Sequence, residues 1–215
     1  MIMQKEREEI VRYCQKLITT GLTTGTGGNI SIYNEELKLM AISPSGLDYF
    51  ETTPEDIVVM DLEGKVVDGK RKPSSEYEMH KIFYEKRPGV NAVVHTHSKY
   101  SAILACLRWG IEPTHYLIGF AGPNVRCAEY QTFGTTALAE AALEGMRDRY
   151  GVLLANHGLL TCGPDIRYAF DTAEETEFCA EIYYKAKLAG NPVVLEDDEM
   201  QIVLEKFKSY GQKNK

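Results

Sequence analysis

The segment VVHTHSKY, Val93 to Tyr100, sets two histidines one residue apart, directly after an apolar run. In a β-strand, residues i and i+2 face the same way, so His95 and His97 project together from one strand end. Two protonated imidazoles side by side repel, so the pair fits neutral rings sharing a cation. It fits two ordinary strand-end histidines equally well. His157, in ANHGLLTCG, is a third histidine where an apolar strand meets glycine. Three histidines are a common zinc set when the fourth position is left for chemistry. Glu76 lies near the start of a helical stretch. It reads either as a carboxylate favoured by the helix dipole or as a general base beside a metal. His80, four residues on, shares its face and suits a supporting hydrogen bond better than a ligand position. His115 has no metal-like context and reads as structural.

Three polar turns, TTGTGGN (Thr23–Asn29), SPSG (Ser43–Gly46) and PSS (Pro73–Ser75), combine small residues, hydroxyls and backbone N–H groups. Such turns can cradle a phosphate without Lys or Arg, although each alone is more often only a turn. None is a P-loop, because GK[ST] is absent, and Gly25, Gly27 and Gly28 lack GxGxxG spacing.

These residues need a scaffold, and the chain alternates strand-like and helix-like segments. Residues 3–19 have helical spacing, with Ile10, Cys14, Leu17 and Ile18 as the inward stripe. NISIY and LKLMAIS read as strands, and DIVVMD and KVVDG as a hairpin around Glu63-Gly64. Pro73 to Pro88 reads as a helix with Ser74 as N-cap. NAVVHTH is a strand, SKYSAILACLRW a helix, and Gly134 to Arg149 another helix. GVLLANHGLLTCG is β-like and broken at Asn156-His157-Gly158. Helices follow over about Pro164–Leu188 and Asp197–Tyr210. The expected fold is α/β (α+β): one layered domain over 1–215, its central, largely antiparallel sheet flanked by helices. The tail from about 204 is the candidate mobile part.

Composition narrows the function. A length of 215 residues, 44% hydrophobic and 26% charged, suits a globular domain with a real core. The net charge of −7 argues against nucleic acid as partner but leaves room for a small anionic substrate. The opening MIMQKEREEIVRY lacks a signal-peptide apolar core, and no run is long enough to span a bilayer. Five scattered cysteines without a CxxC pair fit reduced packing residues in a cytoplasm.

The ordered motifs GTGGNIS, SPSG, KPSSEYEMH, AVVHTHS and NHGLLTCG resemble the class II aldolase/adducin family over nearly the whole chain. The resemblance implies one zinc ion per subunit on His95, His97 and His157, with Glu76 as a displaceable fourth ligand and as the base. It implies phosphate binding by Gly28, Asn29, Ser45, Gly46, Ser74 and Ser75. Ser45 stands where Thr is expected and keeps the hydroxyl. It further implies a homotetramer with active sites at subunit interfaces. Tyr116 would reach a neighbour's site to exchange the proton at the aldehyde oxygen, and Phe133 and Tyr210 would border the aldehyde. The implied reaction is reversible cleavage of L-fuculose 1-phosphate to dihydroxyacetone phosphate and L-lactaldehyde, with zinc as Lewis acid for the enediolate charge. Alternatives within the family are 4-epimerisation of L-ribulose 5-phosphate and dehydration of methylthioribulose 1-phosphate. A non-catalytic adducin-like module is a fourth, which the full set of ligand residues disfavours.

Overall fold

Side-chain alternation organises the molecule around one sheet. The computed structural model describes residues 1–209. In chain order it has α1 (Gln4–Thr19), β1 (Asn29–Asn34), β2 (Leu39–Ile42), β3 (Val58–Asp61), β4 (Val66–Asp68) and α2 (Tyr77–Lys86). There follow β5 (Ala92–Thr96), α3 (Lys99–Leu107), β6 (Arg126–Ala128), α4 (Thr136–Met146), β7 (Gly151–Leu154) and β8 (Gly158–Gly163). The long α5 (Ile166–Ala189) and α6 (Asp197–Phe207) complete it. The strands form an eight-stranded sheet in the order β4-β3-β2-β1-β5-β8-β7-β6. Every neighbouring pair is antiparallel except β6–β7. The α/β expectation with a largely antiparallel sheet therefore holds.

Successive strand residues enter opposite cores, as a period of two requires. Val94, Leu153 and Leu159 pack with Ile10, Leu17, Leu104 and Phe170, on the side of α1, α3 and α5. Val93, Leu154 and Leu160 pack with Met79, Phe83, Leu138 and Met146, on the side of α2 and α4. His95, two residues beyond Val93, falls on the α2 side of its strand, level with Asn29 of β1 and Leu160 of β8. The central strands thus bring the starts of β1 and β8 to the end of β5.

Two close approaches make this corner. Gly28 has φ +73°, and a Cβ there would sit 2.7 Å from the carbonyl oxygen of His95. A Cβ on Gly158 would sit 2.3 Å from the Thr96 oxygen and 3.2 Å from His97 Cδ2. Asn156 takes φ 53° in the turn before it, a left-handed conformation that Asn tolerates.

Several expectations need correction. Ser74 does not cap α2, because the helix begins at Tyr77 and Glu76 holds the cap position. Residues 73–75 are instead tied to the neighbouring turn by the Pro44–Pro73 bridge and by Ser74 N–H donating to the Ser43 oxygen. Ile18 is only partly buried, while Arg7 and Tyr13 join the inner face of α1. Arg7 is buried through bonds to the Ile57 and Pro54 carbonyls and an ion pair with Asp68. Cys106 is exposed, so not every cysteine is a packing residue. The helix expected over 134–149 is shorter, starting behind Thr135, whose Oγ1 accepts from Leu138 N–H. Strand β6 and short 3-10 helices at Pro54–Asp56 and Tyr116–Phe120 carry too few residues for a periodic signal. Among the described residues, no helix is long and apolar enough to cross a membrane.

Gly158→Ala should destabilise the protein by about 1–3 kcal/mol, because the clash is with backbone that cannot rotate away. Urea unfolding would measure it, and a wild-type midpoint would contradict this account of the corner.

Candidate metal centre

Four side chains converge where β5 ends. One donor atom each from Glu76, His95, His97 and His157 lies within 4.8 Å of the others. The histidine rings form a triangle with centroid separations of 4.8 Å, 4.7 Å and 5.2 Å. β5 supplies His95 and the residue just past its end, His97. The β7–β8 turn supplies His157, and the cap of α2 supplies Glu76.

Hydrogen bonding fixes one tautomer. The Leu159 carbonyl only accepts, so His95 Nδ1–H donates to it at 2.9 Å. The lone pair of His95 Nε2 therefore faces His97 Nε2 at 3.0 Å and Glu76 Oε2 at 3.4 Å. His157 Nε2 lies 3.4 Å from Glu76 Oε1. Glu76 is 6% exposed, and its Oε1 is buried without a hydrogen-bond partner. An orphaned carboxylate oxygen beside inward-facing nitrogens is a donor set that suits a divalent cation. Zinc, cobalt and manganese all accept such ligands.

Desolvation favours the neutral imidazoles that ligands must be, most of all at buried His95, less at half-buried His157 and at His97 on the exposed edge. Desolvation and the neighbouring His157 and His97 rings push His95 well below its ordinary value. Desolvation and His157 lower His97 in the same way. Desolvation lowers His157, partly offset by Glu76.

His80 is not a ligand. Its Nε2 meets Asn29 Oδ1 at 2.5 Å, and Asn29 Nδ2 donates to Glu76 Oε2 at 3.0 Å. Fully buried, His80 is pushed down to about 3 by desolvation.

A cavity of about 260 Å³ opens onto the cluster, lined by Glu76, His97, Tyr130, Gln131, Phe133, Asn156 and His157. Phe133 is thus beside the cluster. Tyr130, Gln131 and Asn156 were not among the residues expected from sequence. Asn156 stands beside His157 in the quoted motif, whereas Tyr130 and Gln131 follow the unforeseen β6. The phosphate candidates gather at neighbouring turns. The Pro44–Pro73 bridge sets Ser45 and Gly46 beside Ser74 and Ser75, with Ser45, Gly46 and Ser75 exposed. Gly46, at φ +68°, has open space around it. Asn29 is buried, its carboxamide engaged with Glu76 and His80. Tyr116 lines a different cavity, with His115, Val203 and Phe207, and is half exposed. His115 accepts from Leu117 N–H, the structural role expected of it. Tyr210 lies outside the described residues.

Residues 8–184 match the family model described as "Class II Aldolase and Adducin N-terminal domain". The chain belongs to this family. Within the class II aldolase and adducin family, a 5-deoxy-D-ribulose 1-phosphate aldolase of Bacillus thuringiensis is 59% identical, covering 99% of this chain and 100% of its own. An L-fuculose phosphate aldolase of Escherichia coli is 38% identical, covering 98% of both. A solved structure titled L-fuculose 1-phosphate aldolase superposes with a TM-score of 0.95 at 50% identity, over 97% of this chain and 98% of its own. Class II aldolases are lyases, so the protein is an enzyme of the metal-dependent aldolase type acting on small phosphorylated sugars.

Buried His80 sets an acid limit on folding. His80 has a folded value of about 3 against 6.5 for an ordinary imidazole. Between those values the unfolded chain binds a proton that the folded protein refuses. Its stabilising contribution is therefore complete above about pH 6.5 and is lost as pH falls below that, by about 1.4 kcal/mol per pH unit for one proton. His95, His97 and His157 shift in the same direction and steepen the slope in metal-free protein. His80→Gln should make this acid limb shallower when unfolding midpoints are compared between neutral pH and about pH 4. An unchanged limb would contradict the assignment.

Proposed function

We propose that this protein is a zinc-dependent aldolase that cleaves a short deoxyketose 1-phosphate between C3 and C4. The products are dihydroxyacetone phosphate and a small aldehyde. The observation that carries the reading is the convergence of Glu76, His95, His97 and His157, with Glu76 Oε1 buried and unpartnered.

His95, His97 and His157 would hold the ion, with Glu76 completing the set at rest. Bound there, a divalent cation supplies Lewis-acid stabilisation of the enediolate charge. Glu76 would move the proton to and from C3. Its unpartnered Oε1 supports that role. Gly28, Asn29, Ser45, Gly46, Ser74 and Ser75 bind the phosphate, the exposed hydroxyls of Ser45 and Ser75 and the open turn at Gly46 facing solvent. Phe133, with Tyr130, gives the aldehyde end an aromatic wall. Tyr116 exchanges the aldehyde-oxygen proton in a neighbouring subunit of a homotetramer, and Tyr210 borders the same end. The separation of Tyr116 from its own chain's metal cavity accords with a role in trans.

The first substrate is 5-deoxy-D-ribulose 1-phosphate, supported by the 59% identical relative of that name. Its aldehyde fragment is acetaldehyde. L-Fuculose 1-phosphate, which releases L-lactaldehyde, is the second reading, supported by the structural neighbour at TM-score 0.95. The two sugars share the phosphate end and the bond broken, so the rim at Tyr130, Gln131 and Phe133 would decide between them.

Both sugar phosphates should be assayed with zinc-loaded protein, coupling dihydroxyacetone phosphate to a reductase. Chelation should abolish cleavage and zinc should restore it. His95→Ala should lose zinc and activity together. Glu76→Gln should keep the fold and the zinc but lose turnover by about 100-fold or more. Normal turnover by Glu76→Gln would remove Glu76 as the base. Failure to cleave either sugar would move the assignment to the epimerase or dehydratase branch.

A further inference from the structure

The polar chain behind Glu76 runs deeper than a single supporting bond. Asn29 Nδ2 donates to Glu76 Oε2 at 3.0 Å, which turns Asn29 Oδ1 toward His80 Nε2 at 2.5 Å. An amide oxygen only accepts, so His80 Nε2 carries the proton. His80 Nδ1 must then accept, and Ser31 Oγ lies 2.7 Å from it. Ser31 Oγ has one proton to give, so it accepts from Tyr84 Oη, which it contacts in turn. Every donor therefore points the same way, from Tyr84 through Ser31, His80 and Asn29 to the carboxylate. Ser31, His80 and Tyr84 are buried, none belongs to the metal set, and burial keeps His80 neutral. The two carboxylate oxygens of Glu76 end up in unlike environments. Oε2 is held by Asn29, and Oε1 has no hydrogen-bond partner, with His157 Nε2 3.4 Å away.

We infer that His80 is a positioning residue for Glu76: through Asn29 it pins Oε2 and leaves Oε1 as the oxygen that meets the ion and carries the substrate proton. This rests on the reading of Glu76 as metal ligand and base. Without the chain, Asn29 is free to turn its amide, Glu76 can rotate about its terminal bond, and the two oxygens become interchangeable. A fixed carboxylate matters because partners behind a ligand typically change metal affinity or activity by 10–100-fold. It also keeps the base aligned with one hydrogen of the substrate carbon.

The test uses full-length protein loaded with Co²⁺, whose visible spectrum reports ligand geometry without any substrate. His80→Leu fills the volume and removes the donor, whereas His80→Gln can return an N–H to Asn29. In His80→Leu the Co²⁺ spectrum should change and the metal should bind less tightly. Its kcat should fall roughly 10–100-fold, and exchange of the C3 proton of dihydroxyacetone phosphate with solvent deuterium should slow in parallel. His80→Gln should recover most of each. A parental spectrum and kcat in His80→Leu would overturn the inference, as would a Gln variant no better than Leu. Should His80→Leu not fold, Ser31→Ala carries the same test, and an unchanged spectrum and kcat there would overturn it too. Should the parent protein cleave neither sugar, the aldolase reading fails by itself. The Leu and Gln spectra then decide the positioning role alone, a change restored by Gln supporting it and no change overturning it.

Discussion

The structure turns on one electrostatic constraint. A carboxylate, Glu76, is buried against three imidazoles whose desolvation favours the uncharged form, and one of its oxygens has no hydrogen-bond partner. A buried negative charge beside neutral lone pairs is costly unless something positive is shared among them. A divalent ion meets that need, and the ligand geometry is closed by backbone rather than by long flexible side chains. The Leu159 carbonyl sets the His95 tautomer, Gly28 and Gly158 let strands approach at the corner, and Asn29 holds Glu76 from behind. Neutral histidines also leave the full charge of the ion for chemistry. A site built from thiolates would blunt it.

Much of this was legible in the sequence for local reasons. His-x-His after an apolar run carries its own geometry, because a period of two puts both rings on one face. The Asn156-His157-Gly158 break marked a turn, and the sheet and major helices followed from alternation and helical spacing. The same rules could not reach what depends on distant partners. Ser74 has the right type for a helix cap, but the bridge between Pro44 and Pro73 holds its backbone outside the helix. Strand β6 spans three residues and exists because β7 pairs with it in parallel. Tyr130 and Gln131 reach the cavity only through that strand. His80 was read as a supporting group from its spacing to Glu76, yet its link runs through Asn29, 51 positions away.

The candidate metal centre and the cavity rim beside it rest on different parts of the molecule. The candidate ligands sit at strand ends and at a helix cap, which the fold fixes. The wall of the adjoining cavity comes from the loop after β6, Tyr130 and Gln131, and from exposed Phe133. A small-volume change in an apolar pocket discriminates by only about 1–3 kcal/mol, so overlapping activity toward related deoxyketose phosphates is the expected behaviour of such a rim.

X-ray absorption of zinc-titrated protein tests the central claim most directly, since it reads the ligands whatever the substrate. One tightly bound zinc per chain should show three imidazole nitrogens at about 2.0–2.1 Å with one oxygen neighbour in place of sulfur. Loss of that spectrum when any one of His95, His97 or His157 is replaced would fix the assignment to these residues. Zinc bound through sulfur, or with fewer than three imidazoles, would contradict the centre described here.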